Sequence, residues 1–457
     1  MRADLCGYDT SLTTQAAAES WDRMHLAFLA HGAATPAHLA RVLELEPGFA
    51  MGHATKGLLY LMLGRRELVA VAEDALAQAR AAMFAGSANP RERRYVAALD
   101  AWLSGRPSEA VAEMEAVLQD HPRDSLAAKI SHAIRFILGD TTGMRNSIEA
   151  ALPAFGHDHP ARGYMMGCQA FALEETGAFT KAEEVGRNGL DLAPDDAWGL
   201  HAVAHVHDMT GQAKAGLAWL SGRDSAWAHC NNFRYHVWWH KALMHLDLGQ
   251  FDEVFALYDS EVRKEKTDDY RDISNATSLL CRLELDGVAV GNRWEELAAL
   301  SQERCDDGCL IFADLHYLLA LVSDNRTEAT KRLISRIRQD ARTGSGEAAH
   351  RMAQPGVAAA AALEAFGEGN YTAAYLSFKT ARPSLQMAGG SHAQRDVFER
   401  LTIDSALRAG FFEDAALLLA DRKSRRGGHA DGYWDARMSL IELQLGGPDF
   451  ASSRTAV

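Results

Sequence analysis

Apolar residues recur along this chain at the three- and four-residue spacing of a single helical face. Residues 15–31 show it first, with Trp21, Met24, Phe28 and Leu29 on one stripe. The pattern then returns in blocks whose edges are marked by proline and glycine. Pro47 and Gly64, Pro122 and Gly139, and Pro194 and Gly211 each stand 17 residues apart. Proline closes one helical hairpin, the next helix runs about four turns, and glycine makes the turn into its partner. Gly105, Gly177, Gly249, Gly287, Gly369 and Gly410 extend the ladder. From Gly64 to Gly249 the steps are 41, 34, 38, 34 and 38 residues. A step of 34 is the period of tetratricopeptide arrays, and longer steps predict stretched hairpins. The second helix keeps the phase. Five residues after the turn comes Ala110, Ala182, Ala374 or Ala415, small enough for close helix packing. Two residues after it comes Phe179, Phe251, Tyr371 or Phe412, an aromatic plug beside the turn.

These blocks predict an all-α, tetratricopeptide-like solenoid of helical hairpins, a right-handed superhelix forming one domain over residues 1–457. Within it, 261–272 (EVRKEKTDDYRD) is expected to be a helix end plus loop, and 301–309 an irregular connection. Residues 340–347 (DARTGSGE) are the linker candidate, and 446–457 are expected to fray. No hairpin or βαβ signal stands against this picture.

Charge and composition narrow the partners. The formal charge of −14 is spread over interspersed acidic and basic residues, the pattern of a solubilising surface. No basic stripe with interleaved aromatics points to nucleic acid. No run of 18 apolar residues predicts a membrane span, and Met1 to Thr14 lacks a signal-peptide core. The six scattered cysteines then predict reduced thiols and a cytoplasmic location. Cys305 and Cys309 form a lone pair without the second pair that a zinc site of this kind needs.

Candidate chemistry lies on the concave side, lined by the first helix of each hairpin. Inward positions fall 13, 10, 6 and 3 residues before the turn glycine. Before Gly211 the last three hold His201, His205 and Asp208, on one helical face. Before Gly249 come His236 and His240, and before Gly287 come Ser274 and Thr277, just after Asp272. His316 sits in the apolar helix FADLHYLLAL. From His201 to His245 there are seven histidines and four tryptophans in 45 residues. Two H-x-x-x-H helices offer four imidazoles as ligands for a divalent transition metal or as acid–base groups, with Asp208 and Asp272 orienting them. Hydrogen bonding between packed helices is the structural alternative. No H-E-x-x-H supplies a zincin glutamate. A second constellation, GGSHAQRD (389–396), pairs two glycines with a Ser391/Gln394 capping box. Its functional version adds His392 and Arg395 as an anion site at a helix start.

Four segments carry a family resemblance: HAVAHVHDMTGQ (201–212), NNFRYHVWWHKAL (231–243), RDISNATSLLCRLEL (271–285) and GGSHAQRDVF (389–398). They resemble the tetratricopeptide repeat protein 38 family over most of the chain. The resemblance implies a helical-repeat fold throughout and supplies no established reaction. Asp208 stands where relatives are expected to carry glutamate, which shortens the reach of that carboxylate.

The expectation is therefore a concave His/Asp/Trp pocket for a small polar or anionic molecule, with acid–base or metal-assisted hydrolytic chemistry in view. His201, His205, His236 and His240 are the ligands or proton carriers. Asp208 completes the catalytic group, while Asp272, Ser274, His316, His392 and Arg395 are expected on the ligand. The alternative is a non-catalytic adaptor that docks a peptide or partner protein in the groove. A third option is a scaffold that forms a homodimer through its end hairpins.

Overall fold

The computed structural model describes residues 1–86 and 88–445. The expected tail, 446–457, lies outside the described residues. The protein is all-α, 75% helical, and its hairpins follow the predicted ladder. The first half comprises α1 (Gln15–Leu29), α2 (Thr35–Leu45), α3 (Ala50–Leu61), α4 (Arg66–Phe84), α5 (Pro90–Leu103), α6 (Pro107–Asp120), α7 (Ser125–Leu138), α8 (Thr141–Ala151), α9 (Arg162–Glu175), α10 (Phe179–Leu192), α11 (Ala197–Met209) and α12 (Ala213–Leu220). After the one-turn α13 (Ser225–Ala228) come α14 (Phe233–Asp247), α15 (Phe251–Leu257), α16 (Tyr270–Leu285), α17 (Arg293–Glu303), α18 (Ile311–Ser323) and α19 (Thr327–Thr343). The chain continues through α20 (Gly346–Arg351), α21 (Val357–Gly367), α22 (Tyr371–Ala381), α23 (His392–Arg408), α24 (Phe412–Arg425) and α25 (Gly432–Leu445). The one sheet among the described residues is the two-residue pairing of Arg2–Ala3 with Asp9–Thr10. That short ribbon is held by Asp4, whose carboxylate meets buried Arg91 at 2.6 Å.

All the ladder glycines from Gly64 to Gly410 adopt left-handed backbone angles, φ between 61° and 81°. The alanines of the second helices, Ala110, Ala182, Ala374 and Ala415, are completely buried. The expected linker is short: 340–343 complete α19, and Gly344 and Ser345 alone separate it from α20.

What the repeat pattern does not reveal is that the superhelix stacks on itself. Turns of the first half meet later segments in register. Arg65 pairs with Asp268 at 2.7 Å and Glu67 with Arg304 at 2.7 Å. The Glu347 amide donates to the Gly105 carbonyl at 3.0 Å, and the Gln386 side chain to the Gly139 carbonyl at 2.8 Å. Further on, the His392 amide donates to Glu175 at 2.8 Å, Arg426 donates to the Asp208 carbonyl, and the Gly432 amide donates to Asp247 at 2.7 Å. Two large cores follow this division, one running from Leu12 to Ala202 and one from Trp239 to Leu401. The helices α11 and α14 lie where they adjoin.

Gly139 serves both the turn and the stacking. Its φ is 73°, and a Cβ there would stand 2.0 Å from the Gln386 carbonyl oxygen. Gly177, at φ 81°, faces open space. Gly177→Ala is expected to cost only the left-handed penalty, about 1–2 kcal/mol. Gly139→Ala must also push the two coils apart and should lower the thermal midpoint distinctly further. Equal midpoints for the two variants would mean the coil contact adds nothing to stability.

Candidate functional site

The site grows from α11. Proline and the turn glycine bound it, and between Ala197 and Met209 every residue except Asp208 is buried. A helix buried all round lies inside the molecule rather than on a surface. His201 and His205 therefore face protein, at 1% and 0% exposure, and meet His236 and His240 of α14, at 9% and 0%. The Nε2 atoms of His201 and His236 are 2.9 Å apart, and those of His240 and His236 are 3.1 Å apart. The His205 ring centre lies 4.4 Å from that of His201 and 4.3 Å from that of His240. Phe171, Trp198, Phe233 and Trp239 pack around the four rings.

The predicted convergence of the two H-x-x-x-H helices is thus present, but the predicted orienting residue is a different one. Asp208 turns outward to the residue just after α24, where its carboxylate lies 3.5 Å from Arg426. The carboxylate beside the imidazoles is Glu174 of α9, completely buried, with Oε2 3.4 Å from His205 Nδ1. Glu174 shares the phase of Asp208: it stands three residues before Gly177, as Asp208 does before Gly211.

The GGSHAQRD segment does reach this place. Its capping box is formed in full, Ser391 and Gln394 each bonding the other's backbone amide. His392 Nε2 meets Glu174 Oε1 at 2.6 Å. Arg395 does not present a free fork to an anion. Its guanidinium donates to the Gly389 and Gly390 carbonyls and lies 3.5 Å from Glu175. Asp272 stands outside the imidazole group, accepting from Asn232 at 2.7 Å and from Thr267. Ser274 is buried without a hydrogen-bond partner for its hydroxyl. His316 is also separate: its Nδ1 lies 2.8 Å from the Phe312 carbonyl, between the Phe312 and Phe398 rings.

A chain of amides fixes one proton. The Ser391 amide donates to Gln394 Oε1 at 3.1 Å, and Gln394 Nε2 donates to Asn275 Oδ1 at 3.1 Å. Asn275 Nδ2 is then left to donate to His236 Nδ1, 3.0 Å away. In the neutral ring an accepting Nδ1 places the hydrogen on Nε2, so His236 donates toward His201 and His240. Neither nitrogen of His205 has a hydrogen-bond partner.

Burial governs the titration. It pushes His201 and His240 well below their ordinary range, with the neighbouring imidazoles adding like charge. The same causes bring His236 down to about 3. His392 goes the other way: burial opposes its charge, but Glu174 and Glu175 outweigh that and raise it to about 9. Glu174 is held below the usual carboxylate range, because His392 and His205 outweigh its own burial. Neutral imidazoles with free lone pairs are what a borderline transition metal requires. Such an ion sits about 2.0–2.1 Å from each nitrogen, which sets tetrahedral ligand atoms roughly 3.3 Å apart. The four imidazoles offer nitrogens that all lie within 4.8 Å of one another.

The cysteines offer no such site. All six are free, and burial pushes Cys305 up to about 11 and Cys309 up to about 12.

The pH dependence of stability has a definite sign. His236 refuses a proton in the fold until about pH 3, while the unfolded chain takes one near 6.5. Stability therefore falls as pH drops from 6.5 towards 3. Each such proton contributes a slope of about 1.4 kcal/mol per pH unit. His236→Gln should lower that slope in denaturant titrations across the window; an unchanged slope would place His236 in a solvated setting.

No family model matches the chain. Among solved structures it is similar to the crystal structure of yeast Tom70, with 14% identity over 96% of this chain and 91% of that one and a TM-score of 0.37. It is also similar to the structure of Naa15/Naa10 bound to HypK-THB, with 13% identity over 94% of this chain and 66% of that one and a TM-score of 0.25. Likenesses this remote bear on neither site nor function. Its own hairpins, spacing and turn glycines make the fold a tetratricopeptide-like helical-hairpin solenoid.

Proposed function

We propose that this chain is a helical-repeat scaffold protein that carries a divalent transition metal ion at its hub, held by His201, His205, His236 and His240. The observation behind this is His205: fully buried, with neither ring nitrogen bonded, beside three imidazoles whose nitrogens converge. Buried polar atoms are rarely left unpaired, and an ion would pair these. Exposures of 0–9% close the imidazoles off from solvent, a setting that favours holding an ion over turning over an external substrate. The four segments that resemble the tetratricopeptide repeat protein 38 family supply His201 and His205, His236 and His240, Asn275, and His392, which supports membership of that family. The contacts between coils support treating the chain as one helical-repeat domain.

Loading the ion requires His236 to release its Nε2 proton and to carry one on Nδ1 instead. Asn275 would then have to turn its oxygen to the ring, against the Gln394 amide that the capping box holds in place. Asn275→Asp removes this conflict, because a carboxylate accepts from both neighbours. Chelator-stripped protein is expected to take up Co²⁺ with visible ligand-field bands and a raised melting temperature. Stabilisation reaches about 4 kcal/mol when free metal is a thousandfold above Kd. Asn275→Asp should tighten binding about 10-fold or more, and His240→Asn should abolish it. Absence of Co²⁺ uptake by folded wild-type protein would leave the cluster a hydrogen-bonding device only.

The scaffold reading includes a protein partner, favoured by one groove. A cavity of about 770 Å³ between α14–α16 and α23–α25 is lined by Phe251, Leu285, Leu407, Phe412 and Leu440, with Arg408 beside them. Leu440 is 52% exposed. An extended peptide with apolar anchors and an acidic residue for Arg408 fits these walls. Panning a displayed random-peptide library should select such sequences, with binding lost in Leu440→Asp. Failure to enrich any motif, or equal binding by the variant, would count against the groove.

A further inference from the structure

We infer that the hub has a second cation site beside the first, made by Glu174, Glu175, His205 and His392, so that it holds a pair of divalent ions. This deepens the metal reading above and rests on it.

Glu174 and Glu175 end α9 as adjacent carboxylates whose side chains are 0% and 1% exposed. Two buried like charges are costly unless opposite charge compensates them. His392 supplies part of it, 2.6 Å from Glu174 and 3.6 Å from Glu175, and Arg395 stands 3.5 Å from Glu175. The compensation is incomplete at the level of single atoms. Glu174 Oε2 has only His205 Nδ1, 3.4 Å away, and Glu175 Oε2 only Arg395, 3.5 Å away; neither contact makes a hydrogen bond, and His205 Nε2 has no partner. One ligand atom from each of the four residues falls within 4.8 Å of the others. The donor set, two carboxylates and two imidazoles, suits a zinc-, iron- or manganese-type dication.

His205 is what makes the two sites one centre. It belongs to both groups of potential ligands. Its Nδ1 faces Glu174, while its ring packs against His201 and His240. One nitrogen to each ion makes it a bridge. His392 releases its imidazolium proton to solvent when its nitrogen binds, and His205 gives up whatever ring proton it carries to solvent when both nitrogens bind. Arg395 stays on Glu175 and on the glycine carbonyls, steadying the carboxylate from outside.

The test is stoichiometry. Full-length, chelator-stripped protein is loaded with Zn²⁺, freed of excess by gel filtration, and analysed for metal per chain. Two ions per chain are expected in the wild type, one in His392→Asn, and one in Glu175→Gln, which keeps the size of the side chain should the histidine variant fail to fold. One ion in the wild type that survives both substitutions would overturn the second site and leave the four-imidazole site standing. One ion lost in either variant would place a single ion between the groups and also overturn the pair. No ion in the wild type would overturn both readings.

Discussion

The contact of one superhelical coil with the next is the constraint on which this molecule depends. Isolated hairpins of an open array touch only their neighbours in sequence. Here Gly105 meets Glu347, Gly139 meets Gln386, and Glu175 meets His392, in order along both segments. Backbone-to-backbone approach of this kind leaves no room for side chains. The Cβ of a residue replacing Gly389 would lie 2.2 Å from the Ile137 carbonyl oxygen. Closing the coils converts what would be a groove into an interior. It is why α11 is buried on every side, and why its histidines face other side chains rather than water.

That closure also separates what was legible in the sequence from what was not. The hairpins were legible because proline, turn glycine, small residue and aromatic are local signals, each tied to one backbone or packing requirement. The pairing of His201 and His205 with His236 and His240 was legible for the same reason, since neighbouring first helices share a phase. The named contacts between coils span 185 to 247 residues and leave no periodic trace. So Asp208, at an inward position by phase, was expected among the imidazoles, while Arg426 from the next coil draws it outward. Glu174 carries the same phase but lies one hairpin earlier, without a histidine beside it to single it out. Arg395 looked free for an anion because the Gly389 and Gly390 carbonyls that hold it appear only in three dimensions. The metal centre and the partner groove remain proposals built on this arrangement.

The hub joins opposite electrostatic demands. Burial keeps His201, His236 and His240 neutral, whereas His392 is charged by the glutamates beside it. Between them stands His205, 3.4 Å from Glu174 and without a hydrogen bond at either nitrogen. The Ser391 capping box reaches His236 through two amides, so an ordinary helix cap also sets the tautomer of a buried imidazole 155 residues away in sequence.

The central claim is that these imidazoles hold a metal ion, and anomalous diffraction tests it most directly. Crystals of full-length protein grown with Zn²⁺ and measured above and below the zinc edge should show a peak about 2.0–2.1 Å from the nitrogens of His201, His205, His236 and His240. No peak there, with ordered water bonded to His205 instead, would contradict the account.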